Sequence, residues 1–313
     1  MKIYHDLDQI RDISRAVVTT GSFDGVHIGH KAIMKRLGKL AQQVKGESVL
    51  ITFHPHPRKV LYPETAGKNL FLINSQQEKV ELLRKTGLDH LLIIPFTLEF
   101  SQMTSFNFIR KILVGILNVH TVVVGFNHHF GHQQEGDFRH LYELGKYHGF
   151  QVEEIPEQEL ENETVSSTRI RRALQEGKIQ RANAYLDHYY MIMGTARNTP
   201  SCTVPDVGSC FTLPVEENCK LIPPCGCYAV SLISPAGKHK AMAIITESDT
   251  NGHESGHRQQ VNILPLEEIR LTEKCAVSVY FHKLIRLLPD SGNKLPAAGL
   301  LIEAGQEIRE LIF

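Results

Sequence analysis

The stretch TTGSFDGVHIGHK, residues 19–31, decides the fold of the first half of this chain. An apolar run at 16–18 leads into it as a short buried strand, and the apolar residues Ile33, Leu37 and Leu40 follow it at helical spacing. A strand, a tight glycine-rich loop and a helix start together favour phosphate binding. The first N–H groups of a helix have no partner within it, and the helix dipole attracts an anion there. The stretch therefore predicts a phosphate site at the start of this helix.

Two histidines, His27 and His30, stand at that helix start. Side chains three positions apart on a helix project from one face, so both rings can reach the same phosphate. The alternative is that one histidine caps the helix and the backbone satisfies the other. Gly21, Gly25 and Gly29 favour the phosphate site, because glycine permits close approach of the backbone to a ligand. We therefore expect the chain to bind a nucleoside triphosphate.

A second segment, ITFHPHPRKVL at 51–61, carries a strand into two histidines held between prolines. Proline stiffens the backbone and favours extended geometry on its N-terminal side. His56 and Pro57 follow the end of a predicted strand, where ligands of parallel sheets bind. The alternative is a rigid turn with exposed rings, which is a stronger rival for His54.

A third segment, VVVGFNHHFG at 122–131, places Gly125 at the end of a strand and Asn127 just beyond it. An amide at this place can hydrogen-bond a base, a ribose or a phosphate. Asparagine is also a common turn residue, and His128 and His129 are interpreted as solvated loop residues.

A fourth segment, VSSTRIRRAL at 165–174, resembles the start of a basic helix. Its good N-cap residues are Ser166, Ser167 and Thr168. Positive charge is unfavourable at a helix N-terminus unless an anion lies nearby. We therefore expect Arg169 or Arg171 to contact phosphate, against the alternative of a solvated basic face.

The first half alternates apolar runs with helical patterns. The predicted strands are 16–20, 48–53, 91–94, 121–124 and 151–155, and the predicted helices are 29–44, 75–86, 104–117, 137–148 and 167–186. Alternation of this kind predicts an α/β fold with a doubly wound parallel sheet, whose strands are buried on both faces. We expect the loops after residues 20, 53 and 124 to share one site.

The second half has a different composition, since proline, cysteine and glycine rise after Leu186 and helical periodicity fades. Short β-like runs occur at 227–233, 241–246, 260–264 and 275–281, and the end of the chain predicts one docked helix. These features predict a nucleotide-binding domain at 1–187 and a smaller all-β, barrel-like domain at 188–313, with 197–218 as a loop.

The bulk composition limits the function classes. The 313 residues are 42% hydrophobic and 22% charged, and 34 basic residues balance 34 acidic ones. A neutral chain has no strong nonspecific attraction to nucleic acid or to an anionic membrane. No apolar run approaches the roughly 20 residues that span a bilayer, and the N-terminus lacks an apolar signal core, so we expect a cytoplasmic location. The oligomeric state is not indicated.

All six cysteines lie at or after Cys202. In a reducing cytosol we expect them to be free thiols. The Cys225-Gly226-Cys227 pair matches no standard zinc spacing, so small buried hydrophobic side chains are favoured over metal ligands.

The segments GSFDGVHIGH, TFHPHP, GFNHHFG and SSTRIR, in this order, resemble the bacterial bifunctional riboflavin kinase/FAD synthetase family over roughly residues 14–190. The N-terminal half resembles its FMN adenylyltransferase domain, which is a Rossmann-like member of the HxGH nucleotidyltransferase superfamily. The resemblance implies transfer of AMP from ATP to FMN, giving FAD and pyrophosphate, with Mg²⁺ accompanying ATP. It implies small-molecule partners, ATP and FMN and possibly riboflavin.

The resemblance also implies roles for individual residues. His27 and His30 would hold the ATP phosphates and stabilise charge during transfer. The residues implied to line the ATP site are Gly21, Ser22, Phe23, Asp24, Gly25 and Gly125. Asn127 would contact the nucleotide or the transferred group. The residues implied to close on the triphosphate are Ser167, Thr168, Arg169 and Arg171. His56 and Pro57 would approach the phosphate and flavin region.

The second half departs from this family. The family's GFPTAN-like segment, whose Thr and Asn bind ATP and Mg²⁺, has no counterpart in TARNTPSCTVPDVGSCFTLPVEE, although LIPPCGCYAV resembles the later LPxxGVYAV segment. The catalytic Glu of an E-x-H strand is replaced by Gln259-Gln260-Val261-Asn262, and glutamine cannot act as a carboxylate base. We therefore expect FAD synthetase activity and a degenerate kinase domain. Three alternatives stay open: a fully bifunctional enzyme, a non-catalytic flavin or nucleotide regulator, and a nucleotidyltransferase for CTP or a pantetheine phosphate.

Overall fold

A computed structural model of the protein describes residues 1–126, 129–156, 159–160, 163–204, 208–247, 259–267, 269, 275–289 and 295–311. The chain forms two compact units. Unit 1 comprises Met1–Leu70 and Lys79–Val165, and unit 2 comprises Phe71–Glu78 and Ser166–Phe313.

Unit 1 contains a six-stranded sheet in which all neighbours are parallel. Its strands are β1 (Lys2–Tyr4), β2 (Val17–Thr20), β3 (Ser48–His54), β4 (His90–Pro95), β5 (Thr121–Gly125) and β6 (Gln151–Ile155). They lie in the order β1-β4-β3-β2-β5-β6, so the direction of winding reverses beside β2. A crevice forms at such a reversal, beyond the carboxyl ends of the strands. The predicted doubly wound α/β fold is confirmed.

The inner strands form because their side chains are mostly apolar and show no apolar-polar alternation. All four residues of β2 are buried, as are the first five of β3 and of β4. A strand covered on both faces needs such a continuous apolar run. The edge strand β1 was not predicted, because its three residues carry no pattern of this kind.

Helices cover this sheet. The helices of the first 165 residues are α1 (Ile28–Gln43), α2 (Pro57–Leu61), α3 (Gln76–Arg84), α4 (Leu98–Ser101), α5 (Ser105–Asn107) and α6 (Phe138–His148). A π-helix, Phe108–Ile116, continues α5, so the predicted helix 104–117 is two pieces of different winding. Its buried residues Phe108, Ile109 and Ile112 join the core on one face of the sheet. A hairpin, β7 (Glu159–Leu160) and β8 (Glu163–Thr164), follows β6.

Unit 2 contains a seven-stranded antiparallel sheet. Its strands are β9 (Met191–Thr195), β10 (Arg197–Val204), β11 (Gly208–Thr212), β12 (Gly226–Ser234), β13 (Gly237–Glu247), β14 (Gln259–Pro265) and β15 (Ala276–Leu287). They lie in the order β10-β11-β14-β13-β12-β15-β9 and curl into a half-barrel. Helix α9 (Ala298–Glu310) buries Leu301 and Ile308 against Met242 and Ile244 of β13. The predicted barrel-like second half is confirmed.

Two of the predicted segments are wrong. The predicted loop 197–218 contains β10 and β11, whose proline- and cysteine-containing sequence lacks a strand pattern. The predicted helix 167–186 is two helices, α7 (Ser167–Gln175) and α8 (Ile179–Leu186). They separate at Gly177, whose φ of +70° ends α7.

The thiol prediction also fails in part. Cys210 is disulfide-bonded, whereas Cys219, Cys225, Cys227 and Cys275 are free thiols. Composition and an assumed compartment carry no information about which sulfur atoms the fold brings together. Burial raises the pKa of the Cys227 thiol to about 12, which fits a small core side chain and not a reactive thiolate.

The predicted boundary at 187/188 rests on composition, whereas α7 and α8 are grouped with the half-barrel in unit 2. The extent of the first domain therefore stays a prediction. Within the described ranges, no helix combines the length and the hydropathy needed to cross a bilayer.

Candidate active site

A cavity of about 700 Å³ opens in unit 1 at the carboxyl ends of β2, β3 and β5. Its wall includes Thr20 at the end of β2, Phe53 near the end of β3 and Gly125 at the end of β5, together with residues of the loops that follow. The three loops that were predicted to share a site therefore line one cavity. This volume matches that of small-molecule sites, which commonly enclose about 300–1,000 Å³.

The turn that follows β2, residues 21–26, forms one side of the cavity and is held by its backbone. The N–H of Gly21 donates to the carbonyl of Ile51 at 3.0 Å. The carbonyl of Ser22 accepts from Thr52 Oγ1 at 3.2 Å and from Lys79 Nζ at 3.0 Å. We call this segment the β2 turn. Its attachment to β3 and α3 fixes the backbone that faces the cavity.

The β2 turn also contains left-handed backbone. Gly25 has φ of +91°, which glycine adopts readily, but Phe23 and Val26 have φ of +49° and +42°. A branched or bulky residue is rarely found in this region. Phe23 and Val26 are almost fully buried, so packing holds them in this conformation. Strained backbone of this kind clusters at ligand sites.

The two histidines lie at the start of α1 and contact each other. His27 is the N-cap residue, and its ring stacks on that of His30 with centroids 3.7 Å apart. The ring of Phe23 packs on His30 at 4.5 Å. A Cβ atom at Gly29 would stand 3.2 Å from His27 Cε1, so glycine leaves room for this stack.

The electrostatics of His30 favour a neutral imidazole. Burial, followed by the charges of His27 and Lys79, lowers the pKa of His30 well below its ordinary value. Its Nδ1 atom is buried and has no hydrogen-bond partner among the described residues. Buried polar atoms are normally hydrogen-bonded, so this nitrogen suits a ligand that enters the cavity.

Phenylalanines also line the cavity. They come from strands, loops and helices far apart in sequence: Phe53, Phe96, Phe100, Phe108, Phe126 and Phe130. We call this set the phenylalanine wall. Phe53, Phe96 and Phe100 form a three-way cluster, with Phe53–Phe96 centroids 5.6 Å apart and Phe96–Phe100 centroids 5.7 Å apart. Sequence reasoning missed the wall, because these residues share no motif.

The loop after β5 also lines the cavity, and it contributes Phe126 and Phe130 to the phenylalanine wall. Phe130 and Gly136 exchange two backbone hydrogen bonds of 3.0 and 2.9 Å. The Glu135 carboxylate accepts the N–H of Ser105 at 2.7 Å, and this bond is the main reason that the pKa of Glu135 is lowered. Gly131 has φ of +79°, and a Cβ atom there would stand 2.7 Å from Ser105. These contacts hold the loop against α5.

The predicted site residues of unit 1 divide into three groups. Those that line the cavity are Gly21, Ser22, Phe23, His30, His56, Pro57 and Gly125. Those that are buried without lining the cavity are Asp24 and Gly25 in the β2 turn and His27 at the N-cap of α1. Asn127 lies outside the described residues. His56 is the N-cap of α2 and accepts the N–H of Arg58 at 3.2 Å, with Pro57 as the first helical residue. The roles of all these residues stay predictions.

The SSTRIR segment belongs to unit 2. Ser166 is the N-cap of α7 and accepts the N–H of Arg169 at 3.4 Å. Arg171 Nε donates to the carbonyl of Phe71 at 2.9 Å, and Arg172 Nε donates to Glu176 at 2.8 Å. Arg172 thus fits the alternative of a solvated basic face. That Ser167, Thr168, Arg169 or Arg171 closes on a triphosphate stays a prediction.

Strand β14 carries the residues that we expect to be the nearest counterpart of the family's E-x-H segment. Asn262 Oδ1 accepts from Thr212 Oγ1 at 2.9 Å and from Gln260 Nε2 at 3.0 Å. Gln259 Nε2 donates to the carbonyl of Pro223 at 2.8 Å. All four side chains are neutral, so this network contains no carboxylate base.

The described part of the chain contains no group of three or more His, Cys, Asp or Glu side chains that could hold a metal ion. The described residues thus do not by themselves build a cage for Mg²⁺. Mg²⁺ characteristically keeps water and substrate phosphate among its ligands.

Comparison with known proteins agrees with this geometry. The FAD synthetase family matches residues 9–169. A bifunctional riboflavin kinase/FMN adenylyltransferase from Listeria monocytogenes is 31% identical over 275 residues, which cover 87% of this chain and 85% of that protein. A protein of the same description from Pseudomonas fluorescens is 34% identical over 62% of this chain and 61% of its own length.

A solved structure of a macrolide-efflux protein from Streptococcus pneumoniae has a TM-score of 0.83 to this chain, with 23% identity and 99% of each chain covered. Likeness at this identity shows the fold alone. The family match spans half of the chain, and the Listeria relative aligns over most of both proteins. The chain therefore belongs to the FAD synthetase family, whose members are FMN adenylyltransferases.

Proposed function

We propose that this chain transfers AMP from ATP to FMN, and that the phosphates react at the cavity of unit 1. The FMN phosphate oxygen forms a bond to the α-phosphorus of ATP, the bond from that phosphorus to the bridging oxygen breaks, and pyrophosphate leaves. The observation that carries the proposal is the stacked pair His27 and His30 at the start of α1, with His30 opening into a cavity walled by phenylalanines.

The reaction requires that the protein position the two substrates and stabilise the charge on their phosphates. The β2 turn and α1 are suited to both tasks. The N-terminus of α1 favours negative charge, and its first N–H groups are available to phosphate oxygens. A neutral His30 can donate one hydrogen bond to the triphosphate without first losing a proton. Donors that are fixed before the reaction stabilise the charge that develops in the transition state. No covalent enzyme intermediate is required.

The phenylalanine wall supports the choice of FMN as the acceptor. An isoalloxazine ring is large, flat and largely apolar, and aromatic side chains bind such rings by stacking and edge contacts. His56 and Pro57 line the same cavity as this wall and the β2 turn. The imidazole of His56 carries a ring nitrogen that can hydrogen-bond a phosphate. We assign these two residues to the phosphate and flavin region.

ATP enters this proposal as its Mg²⁺ complex, so that the ion is part of the substrate. The described residues that line the cavity include no Asp or Glu, which is consistent with a cation that the triphosphate itself brings. When bound, the ion would neutralise phosphate charge.

Riboflavin phosphorylation is not part of the proposal. The Listeria relative is named for both activities, but Gln260 and Asn262 of this chain are neutral and hydrogen-bonded to each other. A kinase that deprotonates a hydroxyl requires a base, and an amide is not one. A non-catalytic flavin regulator is disfavoured by the complete His27 and His30 pair. We place the protein in the cytoplasm, with residues 1–187 as the catalytic domain.

Product chromatography tests the proposal. The protein is mixed with Mg·ATP and, separately, with FMN, riboflavin or a pantetheine phosphate, and CTP replaces ATP in a parallel series. We expect FAD and pyrophosphate from FMN and ATP only. FMN produced from riboflavin would show that the kinase is active, and tight binding of FMN without pyrophosphate release would favour the regulator.

A further inference from the structure

The buried side chain of Lys79 lies next to the β2 turn and is not among the residues that the proposed function uses. Lys79 lies on α3 with 5% of its surface exposed, and its Nζ donates to the carbonyl of Ser22 at 3.0 Å. Burial of an ammonium group costs free energy unless other groups stabilise the charge. A hydrogen bond to the Ser22 carbonyl does not by itself explain a buried lysine, because burying the charge costs free energy and Thr52 already donates to the same carbonyl.

The bond from Lys79 sets the direction of one peptide group. The peptide between Ser22 and Phe23 is trans and planar, so its N–H points opposite to its C=O. With the Ser22 carbonyl turned toward Lys79 and Thr52, the N–H of Phe23 is fixed on the other side of the β2 turn. Ser22 and Phe23 both line the cavity. The lysine thereby orients a backbone donor.

The charge of Lys79 also acts on the histidine pair. Together with burial and His27, it lowers the pKa of His30. The charged groups that act on this ring are His27 on its own helix and Lys79 on α3. A fixed positive charge behind the β2 turn favours a neutral imidazole before ATP binds, and it attracts the triphosphate that follows.

We propose that Lys79 is a positioning residue for adenylyl transfer: it holds the Ser22 peptide in the orientation that binds phosphate and places a buried positive charge behind the triphosphate site. This inference rests on the proposed function and adds a residue to its machinery. The signal in the sequence is that Lys79 lies three and four positions before the buried Leu82 and Leu83, on the apolar face of α3.

Two substitutions compare the charged donor to the Ser22 carbonyl with the neutral one. Lys79→Met keeps the length of the side chain but removes both, whereas Thr52→Val removes the other donor to the same carbonyl and no charge. Binding of α,β-methylene ATP without flavin is measured by calorimetry. We expect Lys79→Met to weaken binding about tenfold to a hundredfold, and Thr52→Val about threefold.

The pH profile of kcat/KM for ATP distinguishes a positioning role of Lys79 from a purely structural one, because a structural role would leave the profile unchanged. Removing the positive charge raises the pKa of His30, so the acid limb of kcat/KM for ATP should shift to higher pH in Lys79→Met and in Lys79→Gln, and stay in place in Thr52→Val. A folded Lys79→Met protein with binding within threefold of wild type and an unshifted acid limb overturns the inference. Loss of the fold in both lysine variants, seen by circular dichroism, would overturn it as well.

Failure of the proposed function is distinguishable from failure of this inference. The binding measurement needs no acceptor, so a wild-type protein that binds the analogue but makes no FAD contradicts the function and leaves the effect of Lys79 on nucleotide binding measurable. Wild-type FAD synthesis that is unchanged in Lys79→Met contradicts the inference alone.

Discussion

Substitution of Lys220 by methionine should destabilise unit 2 severely. Lys220 is fully buried, and its Nζ donates to Glu78 Oε2 and to the carbonyl of Ile73, both at 2.6 Å, and to the carbonyl of Met191 at 2.9 Å. The same ammonium lies 4.3 Å from the centroid of the Tyr190 ring. This cluster joins the segment Phe71–Glu78 to the half-barrel within unit 2.

The expected magnitude follows from the carboxylate that the substitution leaves behind. Glu78 is 1% exposed, and among the described residues it would keep as donors the N–H groups of Ser75 and Met193, at 2.9 and 3.0 Å. Removing one partner of a buried ion pair costs about 3–5 kcal/mol, because the remaining charge is uncompensated. Replacing both partners is often nearly neutral, so Lys220→Met with Glu78→Gln should be less destabilised than the sum of the single variants.

Urea unfolding followed by circular dichroism measures this difference. The matched control is Lys283→Met, which removes a half-exposed pair with Glu307 at 3.4 Å and should cost no more than about 1 kcal/mol. If the two units unfold in separate steps, the step of unit 2 should move. A Lys220→Met protein within about 0.5 kcal/mol of wild type would refute the reasoning from buried charge.

Three further predictions concern single groups. Burial lowers the pKa of His282 to about 4, so its neutral ring contributes fully to stability above about pH 6.5. This contribution, about 3 kcal/mol, is lost progressively as the pH falls from about 6.5 to about 4; urea midpoints against pH, compared with His282→Gln, check it. Gly131→Ala, at φ of +79° with the new Cβ 2.7 Å from the start of α5, should weaken FMN binding in a fluorescence titration. Gly29→Ala should lower FAD synthesis several-fold by displacing the His27 ring, whereas Gly38→Ala, with nothing within 4 Å, should leave turnover unchanged.

The parallel sheet was predictable because its inner strands carry their own signal. The runs at 48–53 and 121–124 are mostly apolar and do not alternate with charged residues, and the structure has them as β3 and β5 with bounds within one residue. The glycine-rich stretch before α1 indicated the tight turn. The order of the strands then places three loops at one cavity. Each of these inferences uses only neighbours in the sequence and one general rule of topology.

The rest of the site depends on contacts between distant residues. The phenylalanine wall joins Phe53, Phe100 and Phe130, which no local pattern connects. Lys79 resembles an ordinary helical lysine until its contact with the Ser22 carbonyl is known. Single residues that hold a turn or a charge in place carry little signal in one sequence, because their role is defined by the partner and not by the spacing.

The half-barrel was predicted only in part, for the same reason. Strands β12 and β13 are long and apolar, and they were expected, whereas β10 pairs with β11 through a polar sequence that contains a register shift. The interruption of the helical run at Gly177 required a left-handed residue, which a glycine permits but does not demand. Pairing partners decide such segments more strongly than intrinsic propensity does.

The central claim is that His30 acts on the phosphates of ATP during transfer to FMN. The rate of FMN-dependent pyrophosphate release by folded His30→Ala, relative to wild type under the same conditions, tests it most directly. Loss of one fixed donor typically lowers turnover by ~10²–10³-fold, and we expect a loss of that size with unchanged thermal stability. A His30→Ala protein that keeps its fold and releases pyrophosphate at the wild-type rate would contradict the claim.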